Sequence, residues 1–430
     1  MTKLGELYKK SALKRQLRHI KRTARAAALS ARQRKLVRQK VDRTSLRVAF
    51  VVLTESSWKL EPLLCRMEGD NVFETAVVVT PLLTLDQDLR RIEQESTKAY
   101  FESRDASSPV LTTSAELTAF DPDIVFLTNP HNLSHSDFYD QLFKYKLCCY
   151  VPYTHGVDQY HGNQAQYNQP FHNAMWRIFA PHDVAKRIYQ SVSFKKGKNV
   201  VVTGYPACEP LLDRAPIGAS AWKTQDREKL KIIWAPHHTI DSPELPYANF
   251  LRYADNFAAL AERHKKNVQW AFKPHPLLKT KLYKHPDWGE RRSDQFYDYW
   301  KFADNCQLEE GGYVDLFRQS DAMIHDSASF MAEYLYIDKP VQFLQGVENI
   351  RDYFNDFGID AFEACKHARS FEDVEAFVRG LLSDREIVSP KRAAFYKKNI
   401  EPYFATPPSE AIINHLKSMF PKLDDTTPSN

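Results

Sequence analysis

From Thr44 onward the chain alternates short apolar runs with segments of helical periodicity, and few folds accommodate that pattern. An apolar run without a polar face is buried on both sides, as in a strand inside a parallel sheet covered by helices. "SLRVAFVVLT" (45–54), "VFETAVVVTP" (72–81), "DIVFLTN" (123–129), "LCCYVPYTH" (147–155) and "NVVVTGYP" (199–206) are expected to be strands. Between them, 85–103 and 174–191 have helical spacing. A polar, irregular stretch, 212–229, predicts a linker, after which the alternation restarts with strands at 230–238, 268–276, 321–327 and 340–345. A length of 430 residues fits two or three domains. The expected division is 1–44 as a basic amphipathic arm, 45–211 as a first Rossmann-like domain, and 212–229 as linker. After these come 230–389 as a second Rossmann-like domain, 390–420 as helices packing back across the domains, and 421–430 as a disordered tail.

Charge is unevenly distributed. Residues 1–44 hold fifteen Lys and Arg against two acids, leaving 44 basic against 52 acidic residues in the rest. Residues 11–40 contain no Pro or Gly, and Leu13, Leu17, Ile20, Ala24, Ala27 and Ala28 form a narrow apolar stripe between basic faces. Such a helix suits an anionic membrane surface. A packed or solvated helix, a nucleic-acid contact and a transit peptide are the alternatives; nothing else in the chain resembles a nucleic-acid module. Six cysteines without a CxxC pair point to a reducing compartment. No apolar run approaches the roughly 20 residues of a membrane helix, and no signal-peptide core is present. The expected location is cytoplasmic, peripheral on the inner face of the cell membrane.

In open parallel sheets ligands bind beyond the carboxyl ends of the strands. Histidines gather at those ends: His155 before Gly156 in "YTHGVD", His237 and His238 in "APHH", His275 in "KPHP", and His325 in "IHDSAS". Each alone is better explained as a surface or hydrogen-bonded structural residue; several at corresponding strand ends together suggest a site, because imidazole serves as general base or as a hydrogen-bond donor to phosphate. Pro274 and Pro276 fix the backbone on both sides of His275. No metal is expected, since the adjacent His237 and His238 should point to opposite faces of a strand and no HExxH spacing appears. Asp326, Ser327 and Ser329 stand at a strand-to-helix junction, where simple capping and anion binding are both open. Neither GxGxxG nor a Walker motif is present.

The order "WAPHH", "FKPHP", "SDAMIHDSASFMAEYLYIDKPVQFL", with "THGVD" and "VVTGYP" before it, resembles the CDP-glycerol glycerophosphotransferase family of teichoic acid polymerases and primases. The resemblance covers most of 145–355. It implies an α/β, GT-B-like fold, two Rossmann-like doubly wound domains facing across a cleft, with the basic N-terminal helix added. It also implies transfer of glycerol-phosphate or ribitol-phosphate from a CDP-activated donor to a hydroxyl of a glycan, lipid-linked or teichoic-acid-like polymer, releasing CMP. By position His155 matches the family's general base and His275 its donor-phosphate contact, while Asp326 and Ser329 match the pyrophosphate motif. Lys273, Ser327, His237 and His238 are added as donor-binding candidates, and Gly156, Gly204 and His325 as further cleft candidates. Ala328 replaces the first serine of the family's SS pair, and the arginine expected after the APT-type motif is absent. CDP-glycerol, CDP-ribitol and other nucleotide-activated donors stay open. No cofactor is required beyond the CDP-linked substrate, and the need for a divalent cation stays open. The competing functions are a GT-B glycosyltransferase using a nucleotide-sugar and a non-catalytic adaptor.

Overall fold

The computed structural model describes residues 3–104, 107–159, 161–213, 215, 218–383, 388–403 and 405–426, with side chains described from residue 20 to 423 except His161. The chain folds into two compact units. The first comprises residues 1–153, 161–207 and 406–430; the second comprises 154–160 and 208–405.

The first unit holds a seven-stranded, wholly parallel sheet. Its strands are β1 (Leu46–Val52), β2 (Phe73–Val79), β3 (Val110–Leu111), β4 (Ile124–Leu127), β5 (Leu147–Tyr150), β6 (Arg177–Ala180) and β7 (Val200–Val202). They are ordered β3-β2-β1-β4-β5-β6-β7. Successive side chains of β1 go to opposite faces: Val48, Phe50 and Val52 join one apolar cluster, Ala49 and Val51 another. Burial on both faces is why β1 is an unbroken apolar run. Residues 174–191, expected as one helix, divide instead into β6 and a helix Asp183–Val192. Pro181 lies between them, and His182 caps the helix by accepting the Ala185 N–H at 3.0 Å.

The second unit holds a six-stranded parallel sheet, ordered β10-β9-β8-β11-β12-β13. Its strands are β8 (Leu230–Ala235), β9 (Val268–Phe272), β10 (Cys306–Leu308), β11 (Ala322–His325), β12 (Val341–Leu344) and β13 (Lys366–Ala368). Trp234 of β8 anchors its core, stacked on Phe257 at 4.1 Å and packed against Phe272 and Trp300. In both sheets the strand order reverses beside the first strand, at β1/β4 and at β8/β11. Each unit is therefore doubly wound, with its switch point where a ligand crevice is expected.

Three boundaries differ from expectation. Residues 218–229 are not a free linker but lie along the second sheet's flank: Trp222 is buried with its Nε1–H on the Leu316 carbonyl, and Gln307 binds both Lys223 N and Ala221 O. Of the closing helices, Arg392–Asn399 belongs to the second unit, whereas Ile412, Ile413 and Leu416 of Pro408–Met419 enter the first unit's core. The expected disordered tail starts late, since Pro421–Thr426 is helical and Leu423 is buried; 427–430 lie outside the described residues.

The basic arm is a single helix, Lys3–Lys40, and it is not free along its length. Ala26 and Gln33 are buried against the first unit, Gln33 Nε2 donating to the Ala174 carbonyl at 2.6 Å and its Oε1 accepting from Lys195. At the helix end Lys40 and Arg43 pair with Asp123, which is wholly buried and also accepts the Arg47 N–H at 3.0 Å. Ile20, Ala24, Ala27 and Ala28 of the predicted stripe lie on the opposite face and are exposed, Ile20 at 61%. Leu13 and Leu17 fall outside the described side chains.

Asp123 thus closes the start of β1 and anchors the helix at once. Asp123→Ala should cost about 3–5 kcal/mol in chemical denaturation, as expected for stranding buried donors and cations, and should open the 40–44 turn to protease.

Candidate functional site at the carboxyl edge of the second sheet

Strand β8 ends at Ala235, and Pro236 turns the chain out of the sheet. The parallel register sets Phe272 opposite Trp234, and the next residue, Lys273, donates its N–H to the Trp234 carbonyl at 2.8 Å. Two residues on, His275 N donates to the Pro236 carbonyl at 3.1 Å, so the "APHH" and "KPHP" loops leave the sheet tied together. Their rings converge. His238 and His275 have centroids 4.0 Å apart, His237 and His238 4.5 Å, and His237 and His275 5.2 Å. The expectation that His237 and His238 would face opposite ways fails because strand alternation stops at Ala235; both lie in irregular backbone.

The hydrogen bonds assign the protons. The Leu277 N–H donates to His275 Nδ1 at 3.1 Å, so the neutral ring carries its proton on Nε2. His237 Nδ1 meets Thr239 Oγ1 at 2.9 Å, while His238 Nδ1 is buried without a hydrogen-bond partner. Burial, then the neighbouring rings and Lys281, hold all three histidines neutral: His275 falls to about 2, His237 to about 3 and His238 to about 4. His275 is therefore not the cationic donor that imidazole chemistry alone allows.

Asp326 follows β11 and is 2% exposed. Its Oδ1 accepts the His237 N–H at 2.6 Å, and its Oδ2 accepts the Asn249 N–H at 2.6 Å and Asn249 Nδ2 at 3.3 Å. Burial raises its carboxyl to about 7 against these bonds. Both oxygens are engaged with protein donors, so in this geometry Asp326 positions the "APHH" loop. Lys273 is likewise directed inward, its Nζ on the Gly311 carbonyl at 2.7 Å. Ser327 sits at the N-cap position of a short helix, Ala328–Glu333, but makes no side-chain cap; its N–H donates instead to His325 Nδ1 at 3.2 Å. His325 is 1% exposed, Ser329 half-buried.

His155 lies five residues beyond β5, and its segment, 154–160, packs with the second unit rather than the first. The segment is strapped to the turn before helix Asp356–Ala364. Asn355 N donates to the Val157 carbonyl at 2.9 Å, Asn355 Nδ2 to the Gly156 carbonyl at 2.7 Å, and Gln159 N to the Tyr353 carbonyl at 2.8 Å. Gly358 makes the close approach possible, since a Cβ there would stand 2.3 Å from the Val157 carbonyl oxygen. Gly156 takes φ 71°, a conformation side chains disfavour. His155 is 1% exposed, stacks on Phe357 at 5.1 Å, and has Nε2 2.9 Å from the Tyr336 hydroxyl. The domain expected for His155 is thus corrected: it shares a unit with His275. Tyr247 links strap and cluster, its hydroxyl on Asp158 Oδ1 at 2.5 Å and its ring 5.7 Å from His237. Gly204 belongs to the first unit, after β7, with φ 85°.

Sequence reasoning missed Tyr336, Tyr247, Asn249 and Asn355. Only Asn355 carried a signal, as an N-cap ahead of a helix, accepting the Gly358 N–H at 3.0 Å.

Residues 152–402 match the family described as CDP-glycerol:poly(glycerophosphate) glycerophosphotransferase. No curated protein matches the chain. Among solved structures, a variant of the wall teichoic acid polymerase TagF is similar at 11% identity with a TM-score of 0.60, over 95% of this chain and 99% of that one. The same polymerase soaked with CDPG gives 12% and 0.59 over 99% of each chain. A Staphylococcus aureus MnaA–UDP co-structure gives 18% and 0.55, over 90% of this chain and 99% of that one. At such identities these likenesses concern the fold, and all are two-unit neighbours of the GT-B type.

Asp158 supplies a pH test of the strap. Burial pushes its carboxyl up to about 6, above the ordinary value of about 3.9 that holds in the unfolded chain. The stability gained by protonation is present below the unfolded value and is lost as pH rises through about 6. Asp158→Asn, which keeps an acceptor for Tyr247, should therefore be more stable than the parent at pH 8 by on the order of 2 kcal/mol, with the difference vanishing near pH 4 in paired denaturation curves.

Proposed function

For a chain that belongs to the CDP-glycerol:poly(glycerophosphate) glycerophosphotransferase family, and so transfers polyol phosphate from a CDP-linked donor in teichoic-acid-type synthesis, we propose the following division of labour. The acceptor hydroxyl attacks the phosphorus bearing the polyol. His155 takes the hydroxyl proton, the P–O bond to the CMP phosphate breaks, and CMP leaves. His275, with His237 and His238, meets the diphosphate and stabilises the charge that moves onto its oxygens. The observation that carries this reading is the convergence of three neutral imidazoles at the β8/β11 switch point, in the same unit as the buried His155. A charged carboxylate would repel a diphosphate; Asp326 is instead directed to backbone N–H groups behind the cluster.

The donor we favour is CDP-glycerol or CDP-ribitol, and the acceptor a hydroxyl of a lipid-linked or glycan polymer. Incubation with each CDP-polyol and with UDP-sugars, followed by CMP or UDP release, decides between phosphotransfer and glycosyl transfer. His275→Ala should lower kcat roughly hundredfold or more, the loss expected for one well-placed electrostatic contact. His155→Ala should lower it at least as far while the protein still unfolds cooperatively. Turnover near that of the parent in either folded variant removes that histidine from the mechanism.

The same reading places the enzyme on an anionic membrane surface. No described helix is long and apolar enough to cross a membrane. The helix Lys3–Lys40 docks by one face and leaves Ile20 and its alanines outward on the other. Beside it lies a cavity of about 560 Å³ lined in part by Arg34, Arg38, Arg177, Lys196 and Lys198. Each basic residue near such a surface contributes about 1 kcal/mol. Ile20→Asp combined with Arg25→Glu, both on exposed positions, should release the protein from phosphatidylserine vesicles at low salt and leave CMP release on a soluble acceptor unchanged. Unaltered vesicle binding would place the contact elsewhere.

A further inference from the structure

We propose that His237, His238 and His275 form a binding site for a divalent transition metal of the zinc class, so that the contact between this cluster and the donor's diphosphate runs through the ion. The three residues each offer a ring nitrogen within 4.8 Å of the others, and no other group of three His, Cys, Asp or Glu side chains meets that condition among the described residues. Three imidazoles with one position left for an oxygen ligand is an arrangement that zinc accepts. Imidazole is also the donor that separates zinc, nickel, copper and cobalt from magnesium and calcium, which prefer oxygen.

Two further observations point the same way. His238 Nδ1 is buried without a hydrogen-bond partner, a state that coordination relieves. The scaffold behind the rings is built: His237 Nδ1 is held by Thr239, the His237 N–H by Asp326, and the His275 backbone by Pro236. Metal-binding histidines are ordinarily held in this way through their second nitrogen and their backbone.

The geometry also states what binding requires. Nitrogens up to 4.8 Å apart must draw together, because ligand atoms about 2.0–2.1 Å from one ion stand closer than that. His275 exchanges its bond from the Leu277 N–H, by a half-turn of the ring, so that one nitrogen faces the ion and the other keeps the proton. Lys281 and Lys273 both bear on His275 with positive charge. A dication added to neutral rings and two lysines leaves the site strongly positive, and an anionic oxygen is then the natural fourth ligand. The donor's diphosphate supplies one. In this last respect the inference rests on the proposed transfer reaction, whereas the ion site itself does not.

The test uses the full chain, stripped with chelator and titrated with Co²⁺ in the absence of any nucleotide. One equivalent should bind with the intense visible bands of four- or five-coordinate cobalt and be displaced by Zn²⁺. His238→Gln and, separately, His237→Gln should lose those bands and weaken the equivalent by at least tenfold, with far-ultraviolet dichroism unchanged. A pale six-coordinate spectrum in the parent, or bands that survive both substitutions, overturns the proposal. Because no donor is present, a negative result leaves the transfer reaction standing. Conversely, a protein that binds cobalt at these residues but releases no CMP from either CDP-polyol refutes the transfer reading alone.

Discussion

The arrangement of the second unit turns on one buried carboxylate. Asp326, at the end of β11, accepts hydrogen bonds from the backbone of His237 on one side and of Asn249 on the other. Asn249 passes the constraint on, its Nδ2 reaching the Leu344 carbonyl at the end of β12. Three strand ends are thereby held in one register by two side chains, Asp326 and Asn249. Parallel strands need this more than hairpins do, because their exits all lie on one edge and no tight turn fixes their spacing. Removing a carboxylate that satisfies buried N–H groups leaves those donors unpaired, which costs more than the bonds themselves contribute.

Electrostatics follows from the same packing. Histidine clusters in water are easily protonated; here burial, helped by the positive charge of Lys281, keeps His237, His238 and His275 neutral. The site's positive potential comes from lysines nearby, while its contact groups are lone pairs and neutral N–H donors. Such groups require little reorganisation when a highly charged diphosphate arrives, which is what makes preorganised contacts effective in catalysis.

Much of this was legible in the chain. Apolar runs without a polar face located nine of the thirteen strands found among the described residues, because burial on both sides leaves a composition that is hard to mistake. The strands that escaped are short or lie at sheet edges or beside helical residues: β3 has two residues, β10 and β13 three each, and β6 was absorbed into the helix behind Pro181. The histidines were found because prolines and strand ends flank them. Their mutual geometry was not, since residues past Ala235 no longer obey the two-residue period of a strand. Tyr336 and Tyr247 were invisible for a different reason: an aromatic residue in an apolar stretch looks like core, and only the fold reveals that its hydroxyl meets His155 or Asp158.

The path of the chain between the units has a consequence for biosynthesis. The first unit takes its last apolar contacts from Ile412, Ile413, Leu416 and Phe420, yet residues 208–405 belong to the second unit. On a ribosome, the face formed by Leu63, Leu64 and Met67 emerges early and must wait for the whole intervening unit to be made before those residues can cover it. Translation order and folding order therefore part company: the unit begun first is finished last, and in the interval its uncovered side is the surface that chaperones or self-association would meet.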